Sequence, residues 1–85
     1  MAVIFKNEKN FKIIKMNYEE FFSTGGFSIC DSCTKPMVEG YFIAVLNHSY
    51  CEYHFNNWIN SAVNYPEDRD FEEFTFNRMK YFLGM

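Results

Sequence analysis

The sequence predicts a small α+β fold, and three observations lead to that class. Short runs of β-favouring residues alternate with stretches whose apolar spacing is helical. The chain has 85 residues, and a domain of that size buries only about 60 % of the surface that its unfolded form exposes. Aromatic residues make up 21 % of the sequence, which provides large apolar side chains for a core. We therefore expect one folded domain over residues 1–85, stabilised by something beyond its apolar core.

The N-terminal segment predicts two strands followed by a short helix. Residues 2–5 and 11–16 are β-favouring runs on either side of the polar sequence KNEKN, which indicates a hairpin or two edge strands. Asn17 then stands three residues before Glu20, the spacing of a helix capping box. A pair of glycines at 25–26 ends this helix after one or two turns.

The middle of the chain predicts a hairpin and then a helix. Residues 40–51 contain an apolar run, a polar Asn-His-Ser step and a second short run, the pattern of a β-hairpin. After Cys51 the apolar residues follow the spacing of one helix face, which predicts a helix from about Tyr53 to Asn64. These residues are Phe55, Trp58, Ile59, Ala62 and Val63. Trp58 is expected to pack onto the hairpin.

The C-terminal segment, residues 65–85, predicts a helix with two apolar faces. Asp70 and Glu73 have capping-box spacing and would begin it. One face carries Phe71, Phe74, Arg78 and Phe82, and the other carries Phe76, Met79 and Leu83. Such a helix either docks between other elements or shows an apolar stripe to a partner. The local alternation of Phe and Thr at 74–76 would also suit a strand.

All the cysteines and histidines of the chain fall within residues 29–55. Cys30, Cys33, Cys51 and His54 form the pattern C-x₂-C-x₁₇-C-x₂-H, with the predicted hairpin in the gap and the predicted helix at the second pair. Three thiolates and one imidazole select Zn²⁺ and leave no open coordination position. The pattern therefore predicts one structural zinc ion, whose binding free energy stabilises the fold.

The order of knuckle, hairpin and helix is that of a treble-clef zinc module, and the residues resemble the second zinc module of a LIM domain. The resemblance covers about residues 30–58 through CDSCTKP, GYFIAVLN and SYCEYHF. It implies that Cys30, Cys33, Cys51 and His54 bind the zinc. A LIM domain has a preceding zinc module, but residues 1–29 contain no Cys or His to build one. We therefore divide the domain into an N-terminal support (1–29), a zinc module (30–64) and the C-terminal helix (65–85), and transfer no LIM partner.

His48 is the alternative to His54 as the fourth ligand. It stands three residues before Cys51, and the resulting C-x₂-C-x₁₄-H-x₂-C pattern resembles the ligand set of a LIM first module. We favour His54 because it falls where the helix of a treble clef delivers its last ligand. His48 falls at the predicted hairpin tip, where a solvated turn residue is expected.

Charge is mildly acidic overall, with a formal net charge of −3, and it is segregated along the chain. The basic residues of the N-terminal segment are Lys6, Lys9, Lys12 and Lys15, against Glu8. The acidic residues at 66–73 are Glu67, Asp68, Asp70, Glu72 and Glu73, against Arg69. The two ends are expected to attract each other or a partner. The alternative is that the acidic residues at 66–73 are solvated side chains at the start of a helix, where the positive end of the helix dipole favours them.

No segment approaches the ~18 consecutive apolar residues of a membrane span, and the N-terminus lacks the pattern of a signal peptide. Three cysteines cannot all pair as disulfides, which suits the reducing cytoplasm. The spacing that suits a metal also argues against a nucleophilic Cys-His pair and a thioredoxin-like redox motif, and no nuclease signature surrounds the cluster. We therefore expect a cytoplasmic protein that is not an enzyme.

The function predicted from the sequence is a non-catalytic, zinc-stabilised protein–protein interaction module, with an unidentified protein as its partner and no membrane. Two alternatives stay open. One is a nucleic-acid-binding treble clef that uses the N-terminal lysines, although the acidic net charge disfavours it. The other is a small acidic inhibitor or immunity-type protein from a mobile element, suggested by size and charge alone.

Overall fold

Antiparallel strands form one sheet at the centre of the fold. The structure is a computed structural model that describes residues 2–6 and 9–84. Within those residues, four strands lie in the order β1-β2-β3-β4. They are β1 (Val3–Lys6), β2 (Lys12–Asn17), β3 (Glu39–Ile43) and β4 (His48–Tyr50). Three helices accompany them: α1 (Tyr18–Ser23), α2 (Glu52–Ser61) and α3 (Arg69–Leu83), the last preceded by a 3₁₀ turn at Pro66–Asp68.

The predicted N-terminal hairpin and short helix are both confirmed. β1 pairs with β2 in a register that places Ile4 opposite Ile14. At the start of α1 the Asn17 side chain accepts a hydrogen bond from the backbone N–H of Glu20, and the Asn17 N–H donates to the Glu20 carboxylate. The capping box read from the sequence thus fixes the point where β2 becomes α1.

The second predicted hairpin is also confirmed, and its turn lies one step earlier than the histidine. β3 and β4 pair with Ile43 opposite His48, so residues 44–47 make the turn. Asn47 adopts a left-handed conformation, with φ of 55°, and its N–H donates to the carbonyl of Ala44 at 3.2 Å. Asparagine tolerates that conformation better than most residues. His48 is therefore the first residue of a strand and not the tip of the hairpin.

Helix α2 is present but ends at Ser61, three residues before the predicted end. A lysine from outside the helix covers its last turn. Lys9 Nζ donates to the carbonyl oxygens of Ile59 and Ala62, at 2.6 and 3.1 Å. Carbonyls at a helix C-terminus lack intrahelical partners and attract positive charge. This long-range contact was not readable from the local pattern.

Helix α3 is confirmed as a helix, and the strand alternative at 74–76 is not adopted. The prediction that Asp70 and Glu73 form its capping box is wrong. The 3₁₀ turn that Pro66 opens leads directly into α3, so Asp70 already lies in the first helical turn. Asp68 occupies the N-cap position and makes no side-chain capping bond.

The two faces of the sheet carry two apolar clusters. The first cluster lies between the sheet, α1, α3 and the segment that contains Cys30. Its buried members are Ile14, Met16, Phe21, Cys30, Met37, Phe42, Ala44, Phe76 and Met79. The second cluster lies between the other face and α2, and its buried members are Phe11, Ile13, Ile43 and Phe55. Trp58 packs against the second cluster, to which the predicted hairpin contributes Ile43, and its ring lies 4.8 Å from that of Phe11, which is outside the hairpin.

Helix α3 docks through only one of its two apolar faces. Phe76 and Met79 are buried and Leu83 packs against them, whereas Phe71, Phe74 and Phe82 remain exposed. Thr75 lies between these faces, and its hydroxyl donates a hydrogen bond to the carbonyl of Ala44. The sequence left open whether α3 docks or exposes an apolar stripe. The helix does both, because one apolar face is buried and the other is exposed.

The predicted attraction between the two chain ends is present within the molecule. The backbone N–H of Lys12 donates to the Glu72 carboxylate at 3.1 Å, and Lys12 Nζ lies 3.8 Å from the Glu73 carboxylate. Glu72 is only 6 % exposed, so the expectation that all five acidic residues are solvated is wrong for this one. A buried carboxylate needs a hydrogen-bond donor, and the start of β2 provides it.

Among the helices that the structure describes, none combines the length and the apolar character that crossing a membrane requires.

Candidate metal centre

The first cysteine pair lies on a tight turn that the backbone closes. The N–H of Cys30 donates to the carbonyl of Lys35 at 3.0 Å, and the N–H of Thr34 donates to the carbonyl of Cys30 at 2.8 Å. Thr34 adopts a left-handed conformation with φ of 60°, which turns the chain back. Ile29 and Pro36 then pair as an isolated antiparallel bridge below the turn. The result is a knuckle, residues 30–35, with Cys30 and Cys33 on the same turn.

The second pair lies at the start of α2. Cys51 is the N-cap residue, and its carbonyl accepts the first helical hydrogen bond, from Phe55 N–H at 2.8 Å. His54 follows three residues later, and residues three apart lie on one face of a helix. The helix therefore presents the Cys51 thiol and the His54 imidazole side by side towards the knuckle.

The structure brings the four sequence-predicted residues together. One ligand atom from each of Cys30, Cys33, Cys51 and His54 lies within 4.8 Å of every other. His54 Nδ1 lies 3.6 Å from the Cys30 sulfur and 3.2 Å from the Cys51 sulfur. With Zn–S near 2.3 Å and Zn–N near 2.0–2.1 Å, the S···N edge of a zinc tetrahedron is about 3.6 Å. The cluster has the size and the donor set of a tetrahedral metal site.

Backbone hydrogen bonds prepare Cys30 for the thiolate form. Burial raises the pKa of the Cys30 thiol, but backbone N–H groups of Cys33, Cys51 and Ser32 outweigh it and lower the pKa to about 6. The knuckle and the helix N-terminus both contribute to these donors. Since the thiolate is the form that binds metals, the fold favours the ligand state of Cys30 near neutral pH.

Cys33 shows the opposite shift. The backbone N–H of Lys35 lowers the pKa of the Cys33 thiol, but desolvation and the nearby Cys30 sulfur together raise it. Two thiolates at this separation repel each other unless a cation lies between them. A divalent ion is the natural way for all the sulfurs to ionise together, so the chemistry of the cluster fits a bound metal.

Asp31 is a supporting residue that the sequence pattern did not single out. Its backbone N–H donates to the carbonyl of Ser49 at 2.8 Å, and its carboxylate accepts from the Ser49 N–H at 2.7 Å. These two bonds tie the knuckle to β4, two residues before Cys51. The contact joins the two halves of the cluster through the backbone. Its only sequence signal was an aspartate between the first two cysteines, which also suits an ordinary turn.

His48 lies outside the cluster. Its Nδ1 is 3.2 Å from the Asp31 carboxylate, and its side chain is 55 % exposed. The structure therefore places the alternative ligand beside Asp31, whereas it places His54 among the three sulfurs.

Comparisons with known proteins add no relative to this picture: no protein-family model matches the chain, and neither a curated protein nor a solved structure matches it.

Proposed function

We propose that this protein is a non-catalytic interaction module whose fold is held by one structural Zn²⁺ on Cys30, Cys33, Cys51 and His54. The observation that carries the proposal is the convergence of four ligand atoms within 4.8 Å. A tetrahedral ion on four protein ligands has no open position for water or substrate, which is the arrangement of structural zinc. The role of the zinc ion is then to hold the surrounding backbone in place, so that the surfaces of the module keep their shape.

The module proposed is of the treble-clef type, similar to the second zinc module of a LIM domain. Support comes from the order of the elements around the ligands: the knuckle, then the hairpin β3–β4, then α2, which begins at the second ligand pair. The sheet continues beyond this unit, because β2 pairs with β3 and β1 pairs with β2. The N-terminal support therefore adds two strands to the edge of the proposed module.

The cysteine–histidine contacts also invite a catalytic interpretation, which burial and geometry disfavour. A nucleophilic thiol beside an imidazole must reach its substrate. The Cys30 side chain has no exposed surface, although it lies 3.6 Å from the imidazole. The sulfurs of Cys33 and Cys51 belong to the same cluster and would be occupied by the same ion.

The three cysteines are unpaired, which supports a reducing compartment such as the cytoplasm.

An apolar groove beside the knuckle supports binding of a partner protein. It has a volume of about 410 Å³, and its lining is almost wholly apolar. The lining residues are Tyr18, Phe22, Phe27, Ser28, Ile29, Pro36, Met37 and Val38. Phe27 is 71 % exposed and Val38 is 77 % exposed. Exposed apolar patches of this kind mark interaction sites, and the chemistry of this one fits apolar side chains of another protein.

The nucleic-acid alternative is weakened because three of its four lysines make contacts within the fold. Lys9 donates to the end of α2, Lys12 contacts Glu73, and Lys15 Nζ lies 3.5 Å from the Glu39 carboxylate. Each of these cations is thus engaged within the fold and is less available to phosphates. The inhibitor or immunity-type alternative stays a prediction from size and charge.

The interaction proposal is tested by affinity capture from a lysate of the source organism with groove variants. We expect a specific protein to be retained by the zinc-loaded chain and lost with the double variant Phe27→Ser/Val38→Ser, because the variant removes apolar contact area. The matched control is Val63→Ser/Tyr65→Ser, which changes residues that are 62 % and 52 % exposed outside the groove lining. Equal retention by both variants, or no protein retained by the unaltered chain, would count against the proposal.

A further inference from the structure

The outer face of α3 carries an aromatic stripe, defined here as Phe71, Phe74, Tyr81 and Phe82. Their exposed fractions are 50, 64, 80 and 45 %. The spacing of three, seven and one residues keeps them on one side of the helix, away from buried Phe76 and Met79. About half or more of each of these side chains is therefore left exposed by the packing of α3.

The exposed area of the stripe is large for a chain of this size. Because an aromatic side chain offers about 150–250 Å², these four expose roughly 500 Å² together. Single apolar patches on a typical monomer reach about 300–600 Å² and are often functional. Covering all four side chains in both copies would bury about 1,000 Å², at the lower end of specific protein interfaces, and neighbouring charged residues would extend it.

Charge along α3 determines which alignment of two such helices is favourable. Asp70 in the first turn and Arg78 in the second half lie beside the stripe. Glu73 contacts Lys12 and Lys80 lies over the buried Phe76 ring, so these two charges lie on another side of the helix. When two copies lie antiparallel, Asp70 of each helix faces the partner's Arg78. A parallel alignment would place like charges together, which is unfavourable. The antiparallel alignment is also the one that a two-fold axis perpendicular to the helices produces.

Arg78 is held in a position that suits this contact. Its guanidinium donates to the Asn47 side chain at 3.0 Å and lies 5.8 Å from the centre of the Phe74 ring. The hairpin turn thus fixes a positive charge beside the centre of the stripe. A fixed cation loses little side-chain entropy on binding, which favours an ion pair with an incoming carboxylate.

We propose that the aromatic stripe of α3 is a self-association surface, on which a second copy of this chain packs antiparallel with Asp70 facing the partner's Arg78. This goes beyond the interaction proposed above, since it uses a different surface and a different partner. An interface of this limited area is typical of weak, reversible association. The acidic residues beside the stripe disfavour anionic lipid surfaces as its occupant.

The first test is sedimentation equilibrium of the purified, zinc-loaded chain over low to high micromolar concentrations. We expect a reversible monomer–dimer equilibrium, with the dissociation constant raised at least tenfold by Phe74→Ser. The control is Phe22→Ser, which removes a phenylalanine of similar exposure, 54 %, from the groove on α1. A chain that stays monomeric throughout, or an equal loss of dimer in both variants, would overturn the proposal.

The second test uses charge exchange to examine the alignment. Asp70→Arg makes the chain less acidic and so reduces general repulsion between copies, but in the proposed dimer it places the introduced guanidinium against the partner's Arg78. We expect this single variant to weaken the dimer, and Asp70→Arg/Arg78→Asp to restore it. Unchanged or tighter association of the single variant, or no recovery in the double variant, would contradict the antiparallel contact. Because these measurements need no other protein, their failure is distinct from failure of the groove proposal.

Discussion

The Cys51→Ser variant is expected to be largely unfolded in solution. Structural zinc contributes on the order of 10–16 kcal/mol in small zinc modules, whereas a whole domain is stable by only about 5–15 kcal/mol. Cys51 lies at the join of β4 and α2, so losing its thiolate removes one of the two ligands that link this helix to the knuckle through the metal. Far-UV circular dichroism and the dispersion of amide resonances measure the outcome.

Local helix effects cannot account for such a loss. Cys51 is the N-cap of α2 and makes no side-chain capping bond there, while serine is among the best N-cap residues. The substitution should therefore improve the helix start while it removes a ligand. His48→Ala is the control, since His48 lies outside the cluster beside Asp31, and it should keep both metal and fold. A folded Cys51→Ser chain with full metal content, or metal loss in His48→Ala, would refute the ligand assignment.

Phe76→Ala is expected to lower the free energy of unfolding by about 3–5 kcal/mol, the usual cost of removing a buried phenylalanine. Phe76 is 8 % exposed and belongs to the first cluster with Ile14 and Met79. Lys12 and Lys80 also lie over its ring, at 5.0 and 5.4 Å from its centre. A cavity there would loosen the contact between α3 and the sheet. Urea unfolding of the zinc-loaded protein measures the change.

Phe74→Ala provides the matched control on the same helix. It has the same chemistry two residues away, but its side chain is 64 % exposed. At a chain concentration low enough to keep the protein monomeric, the change in unfolding free energy should stay within about 0.5 kcal/mol, as for most surface substitutions. Similar losses in both variants would mean that α3 does not dock through the Phe76 face.

Local signals in the sequence predicted most of the elements. The capping box of Asn17 and Glu20 acts within four residues, and the spacing of Phe55 and Ile59 reports one face of one helix. The cysteines were chosen by their spacing and His54 by its position at the start of the predicted helix, and the structure places all four proposed ligands in one cluster. Patterns of this kind are readable because the interacting residues are neighbours along the chain or along one helix.

The features that were missed depend on contacts between distant segments. Lys9 donates to carbonyls at the end of α2 from about fifty residues away. Glu72 is buried because the start of β2 supplies its donor, although its acidic neighbours predict a solvated face. Asp31 acts through Ser49 on another strand. None of these partners is fixed until the sheet has assembled, so no local pattern indicates them.

Native mass spectrometry combined with circular dichroism during chelation decides whether one zinc ion on this cluster holds the fold. We expect one Zn²⁺ per chain, and loss of secondary structure in step with loss of the ion when a strong chelator is added. A metal-free chain that keeps its full secondary structure and resists urea as well as the untreated protein would show that the ion does not hold the fold.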